Sequence, residues 1–150
     1  MRLSFLRDDL WRTRGRSALA AAVTLKAANQ KRTESGHDVR ALLAEARRAA
    51  REMHGHGVEH AIGFAALVRA GVTALEGNPG RAAAELEAGV AAFERGHLKA
   101  FREVARYCLG RLRSGSSEGD VSRQQAEAWF SEQGVVRPER MAATLVPGLF

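Results

Sequence analysis

Apolar residues recur three and four positions apart in nearly every segment, and no run of four or more alternates apolar with polar, which is the signature of helices rather than strands. A first helix is predicted over about residues 2–28, with Leu3, Leu6, Leu10, Trp11, Leu19 and Val23 on its inner side and Gly15 as a point of kinking or breakage. The polar stretch Asn29 to His37, containing Gly36, reads as a loop. Asp38 is placed to cap a second helix that carries Leu42, Leu43, Ala46, Ala49, Ala50 and Met53 and stops at Gly55 and Gly57. A third runs from about Val58 to Glu76 with Ile62, Phe64, Leu67, Val68, Val72 and Leu75. Gly77-Asn78-Pro79-Gly80 is a turn in which Asn78 caps the next helix and Pro79 takes its first position, where a missing N–H costs nothing. That helix carries Leu86, Val90 and Phe93 and ends at Gly96; another, about Leu98 to Arg113, turns Phe101, Val104, Ala105, Cys108, Leu109 and Leu112 inward. After a loop at Ser114 to Gly119, Ser122 and Gln125 form the pattern of a capping box for a helix through Trp129 and Phe130 to Gly134. Pro138 opens a short last helix with Met141 and Leu145, closed by Pro147-Gly148.

Composition agrees with an all-α chain. There are 28 alanines and a single isoleucine, Ile62, and alanine loses no side-chain entropy in a helix. A length of 150 residues fits one domain, and seven helices with short connections imply antiparallel neighbours. Hydrophobic residues at 45% and charged residues at 27% exclude wholesale disorder and a membrane-embedded bundle. The longest apolar stretch, Ala18 to Leu25, is far short of a membrane span. Cys108 is the single cysteine, so no internal disulfide can form. Asp8 and Asp9 interrupt what would be the positive region of an export signal. Both features point to the cytoplasm.

The net charge of +6 is uneven. Residues 1–51 hold 12 Lys and Arg against 5 Asp and Glu, and the remainder holds 11 against 12. From Leu10 to Thr33 there are six basic residues and no acid. Such a face attracts nucleic-acid or lipid phosphates or an acidic protein surface; equally, 20 arginines against 3 lysines reflect codon preference on a solvated face. Only Trp11 and Phe5 accompany these arginines as stacking groups, so nucleic-acid binding through the basic first helices is the alternative reading rather than the main one. If charge recruits a partner, Arg12, Arg14 and Arg16 are the candidates.

The pattern Leu43-x-x-Ala46-x-x-Ala49-Ala50 returns 43 residues later as Leu86-x-x-Gly89-x-x-Ala92-Phe93, each copy followed by a glycine-containing turn and a second amphipathic helix. Repetition of a helix pair indicates stacked helical hairpins. Within it, Gly77-Asn78-x-x-x-Ala82-x-x-x-Leu86-x-x-Gly89 resembles the second-helix half of a tetratricopeptide (TPR) repeat, with Ala70-Gly71 as the small pair on the preceding helix. Small side chains let paired helices approach, and the bulky one fills the space beside them. The tail, Ala126-x-x-Trp129-Phe130-x-x-x-Gly134-Val135-x-x-Pro138-x-Arg140-Met141 followed by Leu145-x-Pro147-Gly148, resembles the extreme C-terminus of large bacterial signalling proteins that join a serine/threonine kinase domain, an ATPase module and a TPR-like region. The stretch Trp11 to Ala21 and the Leu86 to Phe93 helix are similar to the last repeats of such proteins. The resemblance implies a TPR-like solenoid: a basic N-terminal part over 1–33, hairpin repeats over 38–113, and a cap over 120–150 in which Trp129, Phe130, Met141 and Leu145 cover the open end. It implies an interaction and regulatory role without enzymatic activity. The partner would be a protein or peptide, such as a kinase or ATPase domain. No GxxxxGK[ST] loop and no HRD or DFG triplet occurs in the chain.

The best enzymatic candidate is His56-Gly57-Val58-Glu59-His60, which fits the H-x-x-E-H pattern in which two histidines hold zinc and the glutamate acts as general base. Gly55 and Gly57 put His56 at a helix start rather than inside a rigid helix, so His54, His56 and His60 are read as an exposed turn and His56 and His60 as weak metal candidates only. Cys108 shares an apolar face with Val104, Ala105 and Leu112 and reads as a small buried hydrophobe. No cofactor and no catalytic residue is expected.

Overall fold

A computed structural model describes residues 2–150, with side chains from Leu6 onward; the expected inward position of Leu3 and the expected stacking group Phe5 lie outside the described side chains. The described residues form seven α-helices and no strand: α1 Arg2–Ala27, α2 Val39–Gly55, α3 Glu59–Leu75, α4 Pro79–Arg95, α5 Lys99–Leu112, α6 Ser117–Glu132 and α7 Pro138–Leu145. Each of the first six packs chiefly on its neighbour in sequence. Cross-helix pairs fix the sense of several of these contacts. Asp8 meets His56 while Arg14 meets Glu45; Glu59 meets Arg95 while Arg69 meets Glu85; Glu87 meets Arg113 while Glu94 meets Arg102. All three sets run antiparallel.

The helix starts follow local chemistry. Asp38 Oδ1 accepts from the Ala41 N–H at 2.8 Å, and Asn78 Oδ1 accepts from the Arg81 N–H at 3.1 Å, with Pro79 and Pro138 in the first turns of α4 and α7. These bonds satisfy donors that a helix cannot pair internally. Gly77 closes α3 at φ +80°, a left-handed conformation that brings the Asn78 N–H to the Thr73 carbonyl at 2.9 Å.

Three local expectations are corrected. The cap of α6 is Ser116, whose Oγ accepts from the Gly119 N–H at 3.1 Å, not Ser122 with Gln125. Glu118 and Asp120 then fall in the first turn, where the positive end of the helix favours them. Gly119 lies so close to the Arg113 carbonyl that no Cβ fits there. Second, α1 runs unbroken through Gly15, which seats the helix on Ala49 and Val68; a Cβ would lie 2.9 Å from the Ala49 methyl. Third, Leu6 and Leu10 are each 63% exposed, and the buried line of α1 is Asp8, Gly15, Ala18, Leu19, Ala22 and Leu25. The stripe that faces α2 and α3 alternates Leu19 and Leu25, the first as expected, with the small residues Gly15, Ala18 and Ala22 that allow contact.

The interior consists of two hydrophobic clusters. One gathers α1, α2 and one side of α3 around Leu19, Leu43, Met53 and Val68; the other gathers the rest of the chain around Leu67, Leu86, Phe93, Val104 and Phe130. Phe64 of α3 packs against both, edge-on to Phe93 and Phe101 at centroid distances of 5.3 and 4.8 Å, a favourable aromatic geometry. Trp129, Met141 and Leu145 are half-buried against the second cluster, where Phe130 and Val146 are fully buried. Past α7 the chain turns back. The Pro147 carbonyl sits against Gly71 of α3, and Phe150 stacks on Tyr107 of α5 at 6.4 Å beneath the Arg111 guanidinium.

Two glycines facing different neighbours provide a test. A methyl at Gly71 would collide with the Pro147 carbonyl and with Leu19, whereas one at Gly89 would lie 3.5 Å from the Ala66 methyl, an ordinary contact. Gly71→Ala is expected to lower unfolding free energy by about 1–3 kcal/mol through overpacking, and Gly89→Ala to raise it by up to about 1 kcal/mol through helix propensity. Urea denaturation of the two variants measures both signs.

Candidate functional site

The three arginines proposed for partner binding do not form one patch. Residues 12 and 16 lie on the same side of α1, and residue 14 on the other, as the 100° step of a helix requires. Arg12 pairs with Asp9 at 2.5 Å and lies over the Phe64 ring at 4.7 Å. Arg14 pairs with Glu45 and lies 5.3 Å from the centre of the Trp11 ring, which Arg48 approaches at 5.7 Å. These contacts tie both guanidiniums to the fold. Lys26, at the end of the same helix, donates to the Leu75 carbonyl at 2.7 Å.

Arg16 is placed differently. With Ser17, Ala20, Val23 and Thr24 it forms one wall of an open groove whose other wall is Ala143, Thr144, Pro147 and Phe150. Phe150 is 42% exposed. The groove thus brings the basic first helix and the C-terminal segment together, with an apolar floor and one guanidinium. Because Pro147 and Phe150 rest on α3 and α5, the chain's own C-terminal residues cover part of the face formed by α1, α3 and α5.

The H-x-x-E-H residues separate. His56 Nδ1 meets Asp8 Oδ1, and His60 Nε2 meets Asp8 Oδ2 at 3.0 Å, while Glu59 turns to α4 and accepts from Arg95 at 2.8 and 2.9 Å. The Arg95 hydrogen bonds hold the Glu59 carboxyl below the ordinary carboxylate range. Asp8 is buried, so its carboxylate clamps two imidazoles and ties the first turns of α1 to the α2–α3 connection. Among the described residues no three His, Cys, Asp or Glu side chains converge on a metal position. Asp8 is forty-eight positions from His56, and no local spacing announces their meeting.

Cys108 is 1% exposed, and burial pushes its thiol up to about 12. Its thiolate is therefore scarce at neutral pH, which disfavours a nucleophilic role.

Two charged clusters escaped sequence reasoning. Glu103 of α5, 2% exposed, is held by Arg102 at 2.8 Å and Arg106 at 3.1 Å; the only sequence hint is the three-residue step from Glu103 to Arg106. The other is a cavity walled by α2, α3 and α4, with Arg47, Arg51, Arg69 and Arg81 around it. Its sequence trace is the four-residue step from Arg47 to Arg51, which puts both on one side of α2.

No protein-family profile, curated protein or solved structure matches the chain.

Removing the Asp8 carboxylate leaves two half-buried imidazoles without their acceptor. Asp8→Ala is expected to cost about 1–3 kcal/mol in urea denaturation, and in a double-mutant cycle with His56→Ala the two losses should not add. Cys108 is expected to resist iodoacetamide in the folded protein from neutral pH up to the edge of alkaline unfolding, and to react at once in urea. Mass spectrometry of the alkylated chain distinguishes the two states.

Proposed function

We propose that this chain is a non-enzymatic protein-interaction module built of TPR-like helical hairpins, akin to the C-terminal region of bacterial serine/threonine kinase–ATPase signalling proteins, acting in the cytoplasm. The observation that carries this reading is the packing of α3 on α4. Gly63 receives the Phe93 ring with no room for a Cβ, and Ala66 faces Gly89. Ala82 and Leu86 are fully buried. Ala82, Leu86 and Gly89 stand as the hairpin resemblance expects, but of the small pair expected on α3 only Ala70 shares the cluster of Leu86: Gly71 faces Leu19 and Pro147, and Gly63 and Ala66 are the small residues that meet α4.

The partner surface is the groove between α1 and the C-terminal segment. Ala20, Val23, Pro147 and Phe150 supply apolar contact area, and Arg16 selects an acidic segment of protein, such as one on a neighbouring kinase or ATPase domain. Complementary charge acts mainly on encounter rate and specificity and weakens with salt. A nucleic-acid backbone fits less well, because Arg12 and Arg14 are tied to Asp9 and Glu45 and leave no continuous basic stripe.

Fluorescence anisotropy with matched acidic, neutral and basic peptide libraries tests the reading. Acidic members should bind at low ionic strength, and Arg16→Glu should weaken them about tenfold, the loss of one charge-assisted contact. Equal binding of acidic and basic libraries, or indifference to Arg16→Glu, defeats it.

A further inference from the structure

On α3 the residues that line the arginine-walled cavity, Arg69, Val72 and Thr73, project away from the side that carries Gly71 and the C-terminal segment, and its C-cap residue Glu76 joins them. Arg47 and Arg51 come from α2, and Arg81 and Glu85 from α4. Two of the four guanidiniums are positioned by carboxylates: Arg47 pairs with Glu76, and Arg69 with Glu85 at 2.7 Å. Arg51 and Arg81 make no ion pair among the described residues. Four cations against two anions leave two positive charges uncompensated around one cavity, and each paired arginine keeps donors that its glutamate does not use.

The surrounding backbone adds to this field. Arg81 is the third residue of α4, whose first turn contains no acid and is capped by the neutral Asn78 amide, so no carboxylate offsets the positive end of that helix beside the cavity. The opposing carbonyls at the end of α3 are engaged: Thr73 by the Asn78 N–H, Ala74 by the Gly77 N–H and Leu75 by Lys26.

We propose that this cavity is an oxyanion site for a dianionic phosphoryl group, carried either by a small molecule or by a phosphorylated side chain. Two uncompensated charges match a phosphoryl dianion better than a single carboxylate. Guanidiniums arriving from three walls suit a tetrahedral ligand with three terminal oxygens. Glu76 and Glu85, on the cavity wall, are taken up by Arg47 and Arg69, so the charge left for a ligand is that of Arg51 and Arg81. The site differs from the α1 groove in every residue, so either can fail while the other stands.

Calorimetric titration of the full chain at low ionic strength, in a buffer free of phosphate and sulfate, tests the proposal. The probes are inorganic phosphate, a short phosphoserine peptide and the same peptide unphosphorylated. The proposal expects saturable one-to-one binding of phosphate or phosphopeptide and none of the unphosphorylated peptide. Arg51→Gln and Arg81→Gln, both at exposed positions, should each weaken binding about tenfold while Arg140→Gln, exposed on α7 and outside the lining of both the cavity and the groove, leaves it unchanged. Binding of both phosphorylated probes with similar affinity assigns the site to the free anion; a clear preference for the peptide assigns it to a modified side chain. Absence of saturable binding by either probe, or binding that survives the Arg51→Gln, Arg81→Gln double variant, overturns the proposal. So does displacement of bound phosphate by a single-stranded oligonucleotide more readily than by the phosphopeptide.

Discussion

Close approach to α3 is the constraint on which the rest of the molecule depends. This helix contributes Ala61, Ala65, Val68 and Val72 to one hydrophobic cluster and Leu67 and Ala70 to the other, with Phe64 against both. It can serve two cores because its side chains are small where neighbours come nearest. Gly63 admits the Phe93 ring, and Gly71 admits both Leu19 from α1 and the Pro147 carbonyl from the C-terminal segment. Interior packing leaves little slack, so the glycines of α3 decide how near α1, α4 and the tail can lie. That in turn sets the width of the groove beside Arg16.

Charge follows from this packing. An arginine-rich chain could present a broad positive field, yet most of its guanidiniums end beside a carboxylate or an aromatic ring. Arg12, Arg14, Arg69, Arg95, Arg102, Arg106 and Arg113 each have an acidic partner. Exposed pairs of this kind add little to stability individually, but they determine where positive potential remains. Among the described arginines with no acidic partner are Arg16 beside an apolar groove and Arg51 and Arg81 in a polar cavity, and these two places suit different ligands. The groove offers contact area for a peptide, and the cavity offers guanidinium donors for a compact anion.

The histidines show how a short motif misleads. His56 and His60 stand at a spacing suited to zinc, but the side chain that meets them is Asp8, from the other end of the first hairpin. A carboxylate bridging two imidazoles binds the start of α1 to the turn between α2 and α3. The glutamate that would have served as a base is drawn to α4 by Arg95. The residues of the motif are thus partitioned between two structural contacts.

Most of what is decided within a few residues was legible in the amino-acid sequence. Asp38, Asn78, Pro79 and Pro138 announced helix starts because a cap or a proline acts on donors in its own first turn, and the apolar period announced seven helices because each must bury one side. The start of α6 was missed because Ser114 to Ser117 has the composition of a loop, while Gly119 behind it is kept small by contact with Arg113. The inner face of α1 was read correctly at Leu19 but misjudged at Leu6 and Leu10, because large leucines outweighed small residues whose value lies in what they let approach. Tertiary structure alone placed Asp8 on two histidines, brought Arg16 beside Phe150, and gathered arginines from three helices around one cavity. Those meetings join residues tens of positions apart, and their distances depend on how the helices cross, which no local propensity encodes.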